Sequence, residues 1–516
     1  MGKNLMEYYR KNVKQTWITA FFAAVILGLC VHLFKFANTL PNHDSPYNYY
    51  DPQNIITSGR WFLTVACGIS SYYDLPWLIG MLSILYLALT AVIVTDIFEI
   101  ENPLVIILTG GIVVSYPSIT ETLFFEYTAD GYFLAMLLAA VASRITTMDR
   151  INLPRMLAAA LCICLSCGIY QAYVSFALVL SVCYLMMLLL ENRRCVKECW
   201  SWAGKQAAVY AVGLGSYYLL WQICMKVQGV TAGSYQGIDQ IGTVSASTIL
   251  HGLVETVEEL MLFFFEWNVF RNGWSLYAVL NAVFLVLMVV SIGIACFRTG
   301  ILRRMGHLGL LLLCLAALPL CVCMWCFVSD TVDYRPMMMG STCILYVFTA
   351  VLLERWAKPL ITNLAGIVLA LVIFNNAVQA NICYFYLDEC YERTYATALE
   401  MVLRIRPAVE ETGAEKLAIA GNIRPEVALD ANEPTDRIHM LSPVLEETLM
   451  FDHIHVTMIL DNLYDLGLTM VSDEEAVELS QTEAVAQMGR WPASDSLRVI
   501  GDTVVIKLDD YEAGER

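Results

Sequence analysis

Apolar runs of about 20 residues, repeated along most of the chain, restrict the possible folds more than any other feature of this sequence. A helix of that length crosses the ~30 Å hydrocarbon core of a bilayer, where every backbone N–H and C=O must find its partner within the segment. The spacing predicts eleven such helices, at about 17–37, 76–97, 103–118, 128–144, 154–169, 171–190, 205–226, 274–297, 307–328, 338–353 and 359–379. Composition agrees: 58% of the 516 residues are hydrophobic and 15% charged, more apolar surface than a water-soluble core uses. The expected fold is an all-α polytopic membrane domain over 1–380, followed by a small soluble α/β domain over 381–516.

Charge placement sets the orientation. The first run follows Lys3, Arg10, Lys11 and Lys14. It is longer than a signal-peptide core and lacks a small-residue cleavage site, so it reads as an uncleaved anchor with a cytoplasmic N-terminus. With that parity the inner segments hold Arg144, Arg150 and Arg155, then Arg193, Arg194, Lys197 and Lys205, then Arg298, Arg303 and Arg304, then Arg355 and Lys358. The outer loops before the tail carry chiefly Arg60, Arg271 and Arg335, which is the positive-inside bias. Eleven spans put the tail outside, and an error of one span would move it inside. The net charge of −17 falls wholly on the chain from Asp388 onward, which offers no basic face to nucleic acid.

Cys162, Cys164 and Cys167 repeat the spacing of Cys321, Cys323 and Cys326. Offsets of two and five scatter around a helix, so packing is the expectation for them rather than a metal or redox site. In the tail, 394–407 reads as a helix stopped by Pro407 and 416–421 as a buried strand. Ser472 with Glu475 reads as a capping box opening a helix, and Gly501-Asp502 as the turn of a hairpin.

Unusual polar residues gather on the outer side: His43, Asp44, Asp51, Glu121, Glu126, Asp130, Tyr170, Gln171, Glu255, Glu258, Glu259, Glu266, Asp330, Asp333 and Arg335. A charge near the bilayer centre costs roughly 2.5–3.5 kcal/mol on insertion scales, so such residues at helix ends face water or a polar cleft. Asp51 before Pro52 reads as the N-cap of a surface helix over 52–69. Asp44, in an irregular stretch between Pro41 and Pro46, is either a solvated loop acid or a site acid. Arg60, between Gly59 and Trp61, either snorkels to headgroups or grips phosphate with its fork of donors. Asp130 is an N-cap of the fourth span or a site acid, and Arg335 pairs with Asp333 or serves phosphate. One carboxylate with outward-facing arginines suits sugar transfer from a lipid phosphate. The leaving group there is already an anion, and the protein must deprotonate a hydroxyl, hold phosphate and stabilise an oxocarbenium-like centre. A glycosidase would instead need two carboxylates at defined spacing. The competing readings are a transporter or lipid-linked-sugar flippase, which would favour repeated halves and mid-membrane breaks, and a glycan-binding scaffold without catalysis.

The succession HDSPYN, TSGRWFL, ISSYYDLPWLIGMLSILYLAL, VSYPSITETLFFEYTADGYFLAMLLA, GIYQAY, DYRPMMMG and the closing WPASDSLRVIGDTVVIKL resembles bacterial membrane glucosyltransferases of the Gtr type-II group, which modify O-antigen, and through them the GT-C class. The resemblance implies a polyprenyl-phosphate sugar donor, often glucose, a surface polysaccharide acceptor, and transfer at the outer face of the bacterial inner membrane with no cofactor. It makes Asp44 the base or acceptor-orienting acid and Asp130 a second site acid. Tyr47, Gly59, Arg60 and Arg335 then belong to the donor and phosphate site, and Glu126, Tyr170 and Gln171 to the acceptor. One departure stands out. Many relatives carry two adjacent acids in the first outer loop, whereas Asp44 is flanked by His43 and Ser45, which leaves a one-base mechanism and speaks against a required metal.

Overall fold

A computed structural model describes residues 13–148, 151–240, 246–266, 275–329, 332–422, 449–450 and 453–510. Lys3, Arg10, Lys11, Arg150, Arg271 and Asp330 lie outside the described residues. The chain divides into two compact units. The first takes in the described parts of Met1–Asn38, Tyr50–Asn268 and Asn272–Asn381, and the second takes in Thr39–Tyr49 together with the chain from Ile382.

The first unit is helical. Among the described residues, ten helices are long and apolar enough to span a membrane. They are α1 (Gln15–Ala37), α2 (Pro76–Ile97), α3 (Pro103–Phe124), α4 (Glu126–Thr147), α6 (Gln171–Leu190), α7 (Val196–Gln228), α9 (Leu276–Thr299), α10 (Met305–Val322), α11 (Pro336–Trp356) and α12 (Pro359–Thr412). The expected span at 154–169 is α5 (Leu153–Ile169), apolar but shorter, and α8 (Ala246–Met261) precedes α9. This is a multi-pass α-helical membrane protein. α1 packs on α2 and α3, α2 on α4, α4 on α5, and α5 on α7. α6 and α11 are the innermost helices, buried nearly throughout. The outer helices instead leave Leu, Ile, Val and Phe side chains exposed, among them Phe22, Ile26 and Leu33 on α1, as a lipid-facing surface requires.

Local chemistry explains where the helices depart from the sequence reading. α3 runs on to Phe124 through a break at Tyr116, whose backbone is extended because Pro117 follows it. α4 begins at Glu126, so Asp130 sits inside its second turn and caps nothing. The segment 52–69 is three short helical pieces, Ile56–Ser58, Leu63–Cys67 and Gly68–Ser70, instead of one helix. Gly59 interrupts it with φ +79°, a left-handed conformation that suits glycine. Asp51 does not cap a helix. Its Oδ1 accepts the Gln53 N–H at 2.6 Å, closing a local turn.

The second unit carries a four-stranded sheet in the order β2–β1–β4–β3, from β1 (Lys416–Ala420), β2 (Thr469–Met470), β3 (Leu497–Ile500) and β4 (Thr503–Lys507). β1 runs parallel to β2 and β4, while β3 and β4 form the expected hairpin, with Gly501 at φ +64° in its turn. The C-terminal part of α12 buries Ala398, Met401, Val402 and Ile405 against Leu417, Ile419, Val504 and Ile506. This explains why Pro407 does not end the helix. A mid-helix proline costs about 3 kcal/mol, and burial of several core side chains at roughly 1.5–3 kcal/mol each outweighs it. α12 therefore continues to Thr412. Ser472 caps its helix as expected, accepting the Glu475 N–H at 3.2 Å, but that helix stops at Ser480 and a second turn restarts at Glu483. All 17 cysteines are free, with Cys164, Cys167, Cys323 and Cys326 buried.

Candidate active site

The polar residues of the first unit converge at the bundle end formed by the C-termini of α1 and α5 and the N-termini of α2, α4 and α6. Two clusters stand there. The first is centred on Arg60. Its Nη1 donates to the Tyr132 hydroxyl at 2.7 Å, and its guanidinium lies 4.8 Å from the Tyr170 ring centre and 5.8 Å from that of Tyr132. Those two rings are stacked on each other at 4.4 Å with planes 12° apart. A guanidinium lying over aromatic faces is attracted by their quadrupoles and held flat, with its remaining donors in a fixed plane.

The backbone beneath Arg60 is fastened tightly. Gln171 Nε2 donates to the Ser58 carbonyl at 2.7 Å and to the Tyr217 hydroxyl at 3.0 Å, and the Trp221 indole N–H donates to the Ile56 carbonyl at 2.7 Å. A Cβ on Gly59 would stand 2.4 Å from both Gln171 Nε2 and the Tyr217 oxygen. Gly59 is thus required twice, by its positive φ and by this close approach. The structure brings Gly59, Arg60, Tyr170 and Gln171 into one assembly, and it adds Tyr132, Tyr217 and Trp221, which the sequence reading missed. No spacing motif marks those aromatics, since each looks like an ordinary bilayer-interface residue on its own helix.

The second cluster is acidic and buried. Glu126 and Asp130 stand one turn apart on α4. Glu126 Oε2 is paired with Lys35 Nζ of α1 at 2.7 Å, the two side chains only 8% and 2% exposed. Asp130 is 1% exposed, its Oδ1 taking the Gly131 N–H at 2.8 Å with the Ser70 hydroxyl as side-chain partner. Asp74, in the loop before α2, points into the same region and feels both Glu126 and Lys35. Burial first, then the Glu126 charge, pushes its carboxyl up to about 7, with Lys35 pulling the other way. Its Oδ1 is buried with no hydrogen-bond donor among the described residues. Neither Lys35 nor Asp74 was singled out from sequence.

Arg335 stands on the segment leading into α11. Its Nε is 3.5 Å from Asp333 Oδ2, the pairing that was one of its two readings from sequence. The segment is anchored two residues on, where the Met337 N–H donates to the Glu121 carboxylate of α3.

Asp44 and Tyr47 belong to the second unit. Asp44 precedes the single helical turn Ser45–Asn48 but its carboxylate makes no cap bond. The side chain is 43% exposed, with His43 Nε2 at 3.3 Å from Oδ1. The turn is held by the Asn48 side chain on the Asp44 carbonyl at 2.7 Å and by Asn462 on the Pro46 carbonyl at 2.9 Å. Tyr47 meets the His455 ring edge-on at 4.8 Å. Among the described residues no three His, Cys, Asp or Glu side chains are grouped to hold a metal ion.

The many-helix membrane body thus carries an aromatic-bedded arginine and a cluster of buried acids at one end of its helices. The family model for the glucosyl transferase GtrII matches residues 33–353, and the chain belongs to that family of glycosyltransferases. No curated protein and no solved structure matches it.

Proposed function

We propose that this glucosyltransferase moves glucose from a polyprenyl-phosphate donor to a surface polysaccharide, at the outer face of the bacterial inner membrane, with its N-terminus cytoplasmic and its C-terminal domain outside. The observation that carries this reading is Arg60, bedded on Tyr170 and fixed by the Tyr132 hydroxyl. A planar cation with preset donors suits a phosphate that gains charge as the sugar leaves. In the step, the acceptor hydroxyl loses its proton to a carboxylate and its oxygen bonds to the sugar C1. The C1–O bond to phosphate breaks, and polyprenyl phosphate departs with the electron pair.

Exposure supports Asp44 as the carboxylate that takes the proton, because a bulky glycan hydroxyl can approach a side chain 43% exposed and uncommitted to capping. Asp130, at 1% exposed, is assigned the task of shaping the site. Tyr47 and Gly59 are assigned with Arg60 and Arg335 to the donor side. Tyr170 moves from the acceptor to the donor side through its contact with Arg60. Gln171 is assigned to holding the Gly59 turn, and Glu126 to the pair with Lys35. The test is donor binding and transfer by purified Arg60→Lys and Arg60→Ala proteins. The reading expects both to lose donor affinity, alanine more than lysine, because lysine keeps the charge and loses the fork. Unchanged donor affinity in Arg60→Ala would overturn it.

A further inference from the structure

With Tyr170, Gln171 and Glu126 committed to other tasks, no side chain of the helical unit is left to hold the acceptor. Two exposed aromatic rings stand at the same bundle end. Tyr50 and Tyr73 are 58% and 55% exposed, and their rings lean on each other with centres 4.3 Å apart and planes at 38°. They come from two loop segments, 50–53 and 71–74, on either side of the short helical pieces between Ile56 and Ser70. Both segments are bent against ordinary backbone preference. Among the described residues eight non-glycine residues have positive φ, and four of them fall here: Tyr50 at +51°, Gln53 at +56°, Ser71 at +77° and Tyr72 at +66°. L side chains seldom adopt this conformation, so surrounding contacts must enforce it. Asp51 takes the Gln53 N–H, and the Thr64 hydroxyl donates to the Gln53 carbonyl at 3.1 Å. The Ser71 N–H donates to the Gly68 carbonyl at 3.3 Å. Tyr72 folds back over Gly68, where a Cβ would stand 2.6 Å from the phenol oxygen. Tyr73 is left exposed, while Asp74 turns toward Glu126 and Lys35. One peptide thus joins an exposed ring to a carboxyl whose Oδ1 is buried without a hydrogen-bond donor among the described residues.

We propose that Tyr50 and Tyr73 form a stacking shelf for a sugar ring of the acceptor polysaccharide. The apolar C–H face of a pyranose lies against an aromatic face, while its hydroxyl edge meets phenol oxygens and water, so an amphipathic tyrosine suits it. Anchoring to lipid headgroups is the competing use of exposed aromatics at a bundle end. That use needs no strained backbone, because an aromatic residue in the first turn of a span reaches the interface from ordinary helical geometry, as exposed Trp77 stands in α2. The shelf rests on the polysaccharide acceptor read above and is independent of the donor.

The experiment uses the full-length protein in lipid nanodiscs and native envelope glycan as the probe, with no donor present. Hydroxyl-radical footprinting read by mass spectrometry is expected to oxidise Tyr50 and Tyr73 in the free protein and to spare both once glycan is added. Tyr50→Ala/Tyr73→Ala is expected to weaken glycan affinity by roughly tenfold or more, the size of one or two lost ring contacts, with the melting temperature unchanged. Tyr50→Phe/Tyr73→Phe, which keeps the rings, should retain most of the affinity. Rings already protected before glycan is added would overturn the shelf, because they would lie in the bilayer. So would wild-type rings that glycan does not protect, a result that needs no variant, or unaltered affinity in a folded alanine variant. Wild type that protects both rings with glycan yet transfers nothing from polyprenyl-phosphate-glucose would uphold the shelf and overturn the donor reading alone.

Discussion

Changing Lys35 to methionine removes one half of an ion pair at the C-terminal end of α1 and leaves the other half stranded. The two charged atoms are 2.7 Å apart, and the side chains are 2% and 8% exposed. Neither can turn to water without displacing the helices around it, so the Glu126 carboxylate would stay buried with its counter-ion gone. Breaking such a pair costs about 3–5 kcal/mol, whereas replacing both partners by apolar groups of similar volume is close to neutral or stabilising by ~1–4 kcal/mol. Lys35→Met is thus expected to raise the unfolding equilibrium constant by roughly two to almost four orders of magnitude. Lys35→Met/Glu126→Leu should recover wild-type stability or exceed it. The assay is denaturant-induced unfolding of purified protein in dodecyl maltoside micelles, followed by tryptophan fluorescence. A loss below ~1 kcal/mol in Lys35→Met would refute the reasoning, because it would mean that Glu126 finds water or another cation. A double variant as unstable as the sum of its singles would refute it too.

Other consequences are as direct. Asp74 has a folded-state carboxyl raised to about 7 from 3.8. The folded protein therefore holds a proton that the unfolded chain has lost between those values, and stability falls as pH rises across that window, by up to about 1.4 kcal/mol per pH unit. Asp74→Asn should flatten that slope in unfolding midpoints measured from pH 4 to 8; an unchanged slope would remove Asp74 as its source. Gly59→Ala should destabilise by about 1–3 kcal/mol through its positive φ and its collision with Gln171 and Tyr217, and transfer should fall with it. Full activity with an unshifted melting temperature would contradict the packing described. Tyr132→Phe removes the hydroxyl that receives Arg60. A hydrogen bond to a charged group contributes about 1.5–3 kcal/mol, so donor KM should rise roughly ten- to a hundredfold with the fold intact.

The bilayer made most of this architecture readable in advance. Spans such as α2 and α9 must be about 20 apolar residues long whatever their neighbours are, so length and composition reveal them without tertiary knowledge. The β3–β4 hairpin was equally legible, because Gly501-Asp502 states its turn locally. Pro407 was misread for the opposite reason. Its tolerance depends on Met401, Val402 and Ile405 meeting strands far along the chain, and no local rule contains that. The helix expected over 52–69 failed on similar grounds, since Gly59 answers to Gln171 and Tyr217, more than 100 residues away. In the site, Gly59, Arg60 and Gln171 could be flagged as odd polar or flexible residues in apolar surroundings. Lys35 could not, because a lysine in the last turn of a span usually snorkels to the interface, and its pairing with Glu126 exists only once α1 and α4 are packed. Tyr132 and Tyr217 were hidden by being the ordinary aromatics of membrane helices.

The most direct measurement of the central claim is transfer of labelled glucose from polyprenyl-phosphate-glucose to native envelope glycan. Wild-type membranes would be compared with membranes holding an equal amount of folded Asp44→Asn. The account predicts transfer in the wild type and its loss in the variant, with donor binding retained because Arg60 and its tyrosines are untouched. Equal transfer by both proteins would contradict Asp44 as the proton acceptor. No transfer by the wild type from this donor, alongside transfer from another glucosyl donor, would contradict the polyprenyl-phosphate chemistry itself.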